Sequence, residues 1–420
     1  PPPSNQPNRN EPNNVSGSRD SAPVAAPSPM TQDPPSTTLQ PTDPPIQLQP
    51  TFSPGEFPTI FPTGPTTQSP TYSDRDQRYD TFAQLLIQAG VSLRDHLYPL
   101  DTLLTPQVQA MSWLLDDDPA QLLGPGANTP ESRLTQRYIL LVLFFETSGI
   151  QWIRRDNWLT QQHECTWFGL SCVQLSVPVT PVIPEDTTTT FDDLFVDETL
   201  VVQIQLHGNN LNGRLSREIG FLRDTTVLAL YGNTLIGTIP TTLGNMISLS
   251  KLWLDENEFS GQLPTQLGAL RNVDDITITG NQFSGTLFTE IGQLDRLKRI
   301  WADGMLITGT IPTEIGHLQS LSNLYLDVNE LSGTLPTEIG RLTSLQDIRL
   351  FRNRLVGTLP SHLFTLPNLR IMYLDSNSFS GTIPKQLNAP SLHDLQLFSN
   401  RLTGEIPVSI GQLPDLTVLR

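Results

Sequence analysis

Long apolar runs are missing from this chain. The longest, Tyr138 to Phe145, is eight residues, far short of the ~18–20 that span a bilayer. No transmembrane helix is therefore expected. Cysteine is scarce, two in 420 residues. Basic side chains are outnumbered: 25 Lys and Arg face 42 Asp and Glu, a formal net charge of −17. The excess acid lies upstream, with 9 basic and 23 acidic side chains in residues 1–199 against 16 and 19 in 200–420. A nucleic-acid binder would carry a basic face, and this balance excludes one. Gly-x-Ser-x-Gly, a Walker loop, His-Glu-x-x-His and a dinucleotide fingerprint are all absent, so no catalysis and no cofactor are expected. The opening Pro1-Pro2-Pro3-Ser4 reads as the interior of a longer polypeptide, so a missing targeting segment says little.

Proline, by contrast, is abundant. Nineteen of 37 lie between Pro1 and Pro70. Residues 1–72 are Pro, Ser, Thr, Gln and Asn with few large apolar side chains. Such a segment buries too little surface to offset its ordering entropy. It is expected to be a disordered, extended tether. The single N-x-S/T sequon, Asn14-Val15-Ser16, falls here. Residues 73–172 change character. Phe82, Leu85, Leu86 and Ala89 keep helical spacing, and Thr105-Pro106 pairs an N-cap with proline at the first helical position. A short helix through Val108, Met111, Trp113, Leu114 and Leu115 should end near Asp116–Pro119. A strongly apolar helix should run from Ser132 to Glu146 and stop at Gly149.

From residue 200 the sequence repeats. Ile204-Gln-Leu206-His-Gly-Asn209-Asn-Leu211-Asn-Gly213 returns as Leu228-Ala-Leu230-Tyr-Gly-Asn233-Thr-Leu235-Ile-Gly237. The asparagine column runs Asn209, Asn233, Asn257, Asn281, Met305, Asn329, Asn353, Asn377, Asn400, with seven steps of 24 residues and one of 23. A tenth register begins at Leu413, Leu416 and Leu419. Leu-x-Leu is a short strand, the asparagine amide can bond free backbone groups of the turn, and Gly-x-Ile/Leu-Pro bends the chain back. One coil cannot bury its own leucines, but stacked coils bury a continuous column.

These strings resemble the plant-type leucine-rich repeat family, whose 24-residue unit ends in the same Asn-x-Leu-x-Gly-x-Ile-Pro. The likeness covers residues 200–420. It implies an α/β solenoid: a right-handed superhelix with a concave parallel sheet, behind a helical N-terminal cap and the disordered Pro-rich tail. Cys165-Thr-Trp167-Phe-Gly169-Leu-Ser-Cys172, with Trp158 before it, resembles the Cys-x-Trp-x-Gly-Val-x-Cys of the family's cap. The resemblance implies a Cys165–Cys172 disulfide and an oxidising compartment. The rival, a half zinc site on the two cysteines, lacks two further ligands at the usual spacing, and His163 alone does not supply them. Some features depart from the pattern. Residues 173–199 form an acidic insertion with Thr187–Thr190 and Glu185, Asp186, Asp192, Asp193, Asp197 and Glu198, without a Gly-centred calcium loop. Ser216 and Phe288 replace the usual proline, and Met305 and Ala302 mark a weak fifth coil.

Strand alternation leaves two outward columns. One reads Gln205, Ala229, Trp253, Thr277, Trp301, Tyr325, Arg349, Tyr373, Gln396; the next reads His207, Tyr231, Asp255, Thr279, Asp303, Asp327, Phe351, Asp375, Phe398. Aromatic rings offer rigid apolar area and carboxylates accept hydrogen bonds. The candidate ligand-binding residues are thus Trp253, Asp255, Trp301, Asp303, Tyr325, Asp327, Tyr373 and Asp375. Asp255, Glu256 and Asp303 mimic the carboxylate pair of glycoside hydrolysis, but an open sheet does little to exclude water. The expected function is non-catalytic recognition of a peptide, glycan or protein partner, with a co-receptor possible, as in a receptor-like ectodomain at the cell surface. Any membrane anchor or kinase domain would lie outside this chain. The alternatives are a structural or adhesive surface protein without a discrete ligand, and a secreted inhibitor of wall-degrading enzymes.

Overall fold

The computed structural model describes residues 72–99, 104–123, 130–178 and 195–420. The tether expected over 1–72 lies outside these residues apart from Tyr72, and the sequon lies wholly outside them. Four helices come first: α1 (Tyr72–Gln88), α2 (Arg94–Leu97), α3 (Pro106–Ser112) and α4 (Glu131–Glu146). The Thr105 side chain accepts from the Val108 N–H at 3.1 Å, so the N-cap read from Thr105-Pro106 is in place. One wider turn, Trp113–Asp117, continues α3. Tyr138 to Phe144 of α4 are all buried.

An eleven-stranded sheet follows. Its first two strands, Leu170–Pro178 and Phe195–Gln205, are antiparallel. The acidic insertion expected over 173–199 therefore gives strand residues at both ends; residues 179–194 lie outside the described ones. From Phe195–Gln205 onward every neighbour is parallel and in register, one strand per coil, to Val418–Leu419. Leu252 and Leu254 show why: both are fully buried, while Lys251, Trp253 and Asp255 between and beside them face outward. Short second strands such as Glu258–Gln262 and Gln282–Thr286 pair on another side of the coil. One-turn 3₁₀ segments such as Thr265–Ala269 complete it. Phe259 and Phe283 stack inside the solenoid, centroids 6.1 Å apart.

The asparagines form the expected ladder. Asn257 Nδ2 donates to the Leu230 and Leu254 carbonyls at 3.0 and 3.1 Å, and its Oδ1 accepts from the Leu235 N–H at 3.0 Å. Each coil reaches its asparagine through a residue at positive φ. Glycine does so at Gly232, Gly280 and Gly304, but Val328 does so at φ 53, where a β-branched residue is strained. The ladder bonds hold it there. Met305 interrupts the ladder and is buried in the apolar core instead.

The cap docks by extending this pattern. Asn209 Nδ2 donates to the Arg154 carbonyl at 2.9 Å and its Oδ1 accepts from the Arg154 N–H at 2.7 Å. Gly213 backs onto α4, and a Cβ there would lie 2.0 Å from the Glu146 carbonyl oxygen. Phe144, Trp152, Trp158 and Trp167 pack ring on ring, neighbouring centroids 4.7–5.6 Å apart. Cys165 and Cys172 are disulfide-bonded, Cα atoms 5.4 Å apart. Among the described residues no helix is long and apolar enough to cross a membrane.

Candidate functional site

All eight candidate residues lie on the concave sheet, because each follows a buried core residue by one position in its strand or turn. The structure separates them into two groups. Among the described residues Trp253 and Trp301 make no side-chain hydrogen bond; Trp253 lies edge-on to Tyr231, centroids 6.4 Å apart, and Trp301 is 37% exposed. Tyr325 and Tyr373 are not free. The Tyr325 hydroxyl donates to Asp347 at 2.6 Å and the Tyr373 hydroxyl to Asp394 at 2.8 Å. Between the two rings sits Arg349, its guanidinium carbon 4.3 Å from the Tyr325 centroid and 5.5 Å from that of Tyr373. Arg349 also donates to Asp347 at 2.8 and 3.2 Å. Trp301 stacks on the other face of this assembly, 5.5 Å from Tyr325 with planes 11° apart. The downstream half of the face is thus occupied by its own side chains.

The sequence columns missed a third one. Alternation extends one step upstream of the first leucine, to Lys251, Asp275, Arg299, Asn323, Asp347 and Asp394. The same period-2 reasoning could have found these residues. The pairings among them could not have been read, because they join residues in different coils. Arg299 pairs with Asp275, which is 3% exposed. Among the described residues Asp275 Oδ1 has no hydrogen-bond partner. Lys251 pairs with Asp274.

The aspartate column differs in kind. Asp303 accepts from the Thr279 hydroxyl at 2.7 Å, and Asp375 from Ser376 at 3.1 Å. Among the described residues no cation pairs with Asp255, Asp303, Asp327 or Asp375. Burial pushes the Asp255 carboxyl up to about 6, from 3.8. Burial, with the neighbouring Asp303 charge next, pushes that of Asp327 up to about 7. Raised values mean that the folded chain keeps protons the unfolded chain has released. Their contribution to stability is full below about pH 4 and is lost as pH rises through 6–7. Asp327→Asn is expected to flatten that slope and to be more stable than the parent at pH 8, as read from urea midpoints at several pH values. An unchanged slope would show that Asp327 titrates normally.

The comparisons agree with this architecture. A family model described as Leucine Rich Repeat matches residues 368–389 and 391–413. A comparison with curated proteins gives no match. Among solved structures, the PEPR1–AtPEP1 complex is 30% identical with a TM-score of 0.55, covering 67% of this chain and 40% of that one. The Arabidopsis receptor kinase HAESA, in complex with the peptide hormone IDA and the co-receptor SERK1, is 31% identical with a TM-score of 0.47, covering 51% and 40%. A plant ice-binding protein shares the fold at 22% identity and a TM-score of 0.55, covering 67% and 84%. The chain spans about two-fifths of the length of the receptor chains it matches. With its 24-residue coils, its asparagine ladder and its second row of short strands, the chain carries leucine-rich repeats and is similar in fold to the PEPR1–AtPEP1 structure.

Proposed function

We propose that this chain is a non-catalytic recognition module that captures an extended peptide on its concave face. The observation that carries the reading is the pair of indoles, Trp253 and Trp301, each with a ring neighbour on one side only (Tyr231 and Tyr325) and, among the described residues, no cation over it, beside aspartates that have no cationic partner among those residues. A few aromatic anchors usually dominate such contacts. Strands ~4.8 Å apart make the seven coils from Tyr231 to Tyr373 roughly 30 Å long, which suits an extended ligand. The likeness to PEPR1–AtPEP1 supports a peptide over a small molecule. By the same likeness the module is extracellular, part of a receptor-like protein whose co-receptor and membrane anchor would lie outside this chain.

The test starts from peptides selected on the purified protein from a random display library. Trp301→Ala with Asp303→Ala is expected to weaken their capture tenfold or more, about 1.4 kcal/mol. Folding should survive, because neither side chain enters the core. Tyr325, stacked on Trp301 and bonded to Asp347, is a poorer choice, since its loss would also unseat Arg349. Peptides bound equally well by the double variant would move the site to the lateral surface bearing the Gly-x-Ile-Pro strings.

A further inference from the structure

The solenoid repeats one arrangement twice and fills it once. In the downstream copy three adjacent strands carry Tyr325, Arg349 and Tyr373 in register. The guanidinium of Arg349 lies between the two rings and bonds to Asp347, two residues earlier in its own strand. In the upstream copy the same three positions hold Trp253, Thr277 and Trp301. Asp275 stands two residues before Thr277, where Asp347 stands before Arg349. The repeat geometry is the same, so the outer rings are two strand spacings apart in both copies, ~9.6 Å. The outer positions are aromatic in both copies, indole in one and phenol in the other, and the central side chain is threonine in place of arginine. Threonine is too short to fill the space, and it lies 8% exposed at the floor between two larger indoles.

We propose that the gap over Thr277, between the indoles of Trp253 and Trp301, takes an arginine side chain of a bound peptide. The inference rests on the concave-face reading above and names the residue that the face selects. The chemistry of the gap is that of the filled copy. Two aromatic faces attract a flat cation, and indole does so better than phenol. Asp275 Oδ1 is buried and has no partner among the described residues, while Oδ2 is taken by Arg299. The corresponding Oδ1 of Asp347 accepts from Arg349 Nε at 3.2 Å. On the other side of the gap stand Asp255 and Asp303, which hold hydroxyl donors and no cation among the described residues. Arg299 does not fill the gap itself: among the described residues no cation lies over Trp253 or Trp301, whereas Tyr325 and Tyr373 share Arg349. A guanidinium fits such a slot better than an ammonium because it is planar, weakly hydrated and able to stack.

The experiment uses the blocked peptide Gly-Gly-Arg-Gly-Gly and its lysine and citrulline counterparts, titrated into protein labelled at the tryptophan indole nitrogens. Six indoles are present. The arginine peptide is expected to shift the signals of Trp253 and Trp301 and to leave the four of the cap in place. Citrulline, isosteric and neutral, is expected to bind at least tenfold more weakly, and lysine weaker than arginine. Thr277→Arg should fill the slot from within: the variant folds, melts no lower than the parent and loses the arginine peptide. Should that variant fail to fold, Trp253→Leu provides the second measure, with an expected loss of tenfold or more. Equal binding of arginine and citrulline, equal binding of arginine and lysine, or full binding by folded Thr277→Arg would each overturn the assignment. A library-selected peptide without arginine that is lost in the Trp301→Ala, Asp303→Ala variant would overturn this slot and leave the concave-face reading standing. Selected peptides indifferent to both variants would remove both.

Discussion

Replacing Arg137 with methionine is expected to destabilise the protein by about 3–5 kcal/mol. Arg137 is fully buried in α4 and donates to Glu164 at 2.6 Å and to Asp118 at 2.9 Å, both carboxylates also enclosed. It further donates to the Thr160 carbonyl at 2.8 Å. Its guanidinium lies against two rings, 5.4 Å from Trp113 and 4.8 Å from Trp167. The triad as a whole adds little, because three charges have left water. Removing the cation alone is costly, because it leaves two buried carboxylates with little compensation: Arg133 stands 3.5 Å and the His163 imidazole 3.3 Å from Glu164. The loss should shrink at acidic pH, where Asp118, whose carboxyl is pushed up by burial, takes up a proton. Urea unfolding at pH 4.5 and pH 7.5 checks both points. A cost under about 1 kcal/mol at pH 7.5 would mean that water reaches the site. The physical stake is the end of the solenoid: Trp167 precedes Gly169, whose carbonyl accepts from Gln205 of the first coil at 2.6 Å.

Asn353→Ala should cost about 3 kcal/mol, since it leaves several buried backbone groups unpaired at ~1–3 kcal/mol each. The Asn353 amide donates to the Leu326 and Leu350 carbonyls at 2.9 and 3.1 Å and accepts from the Leu331 N–H at 3.0 Å. These bonds join neighbouring coils, so the change should also weaken cooperativity. A lower urea m-value, or two transitions, would show the solenoid separating at that coil. A loss below about 1 kcal/mol with an unchanged m-value would show that the ladder is replaceable by packing. Met305 is the natural comparison. It sits in the same column, buried with Ala302 beside the core, and Met305→Asn is expected to recover about 1 kcal/mol from the restored bonds.

Much of this molecule was legible without coordinates because its structure is local and periodic. A 24-residue period sets which residues are leucine, which face out and which amide closes the turn, and each of those depends on neighbours within one coil. The concave position of Trp253, Asp255, Trp301, Asp303, Tyr325, Asp327, Tyr373 and Asp375 followed from alternation alone. So did the helices around Phe82, Met111 and Tyr138, although the short α2 carries too few residues to show a period. Pairing between coils was not legible. Tyr325 and Tyr373 look like free anchors in a column of letters, yet Asp347, Asp394 and Arg349 engage them. Trp253 and Trp301 look the same and stay open, because the residue between them is threonine. Hydrophobic period and turn chemistry act over a few residues, so the coil, its core and its outward columns could be read from the chain. Which outward side chains satisfy one another, and that Asp327 and Asp375 are buried among them, depends on residues about 24 apart meeting across neighbouring strands and emerged only in three dimensions.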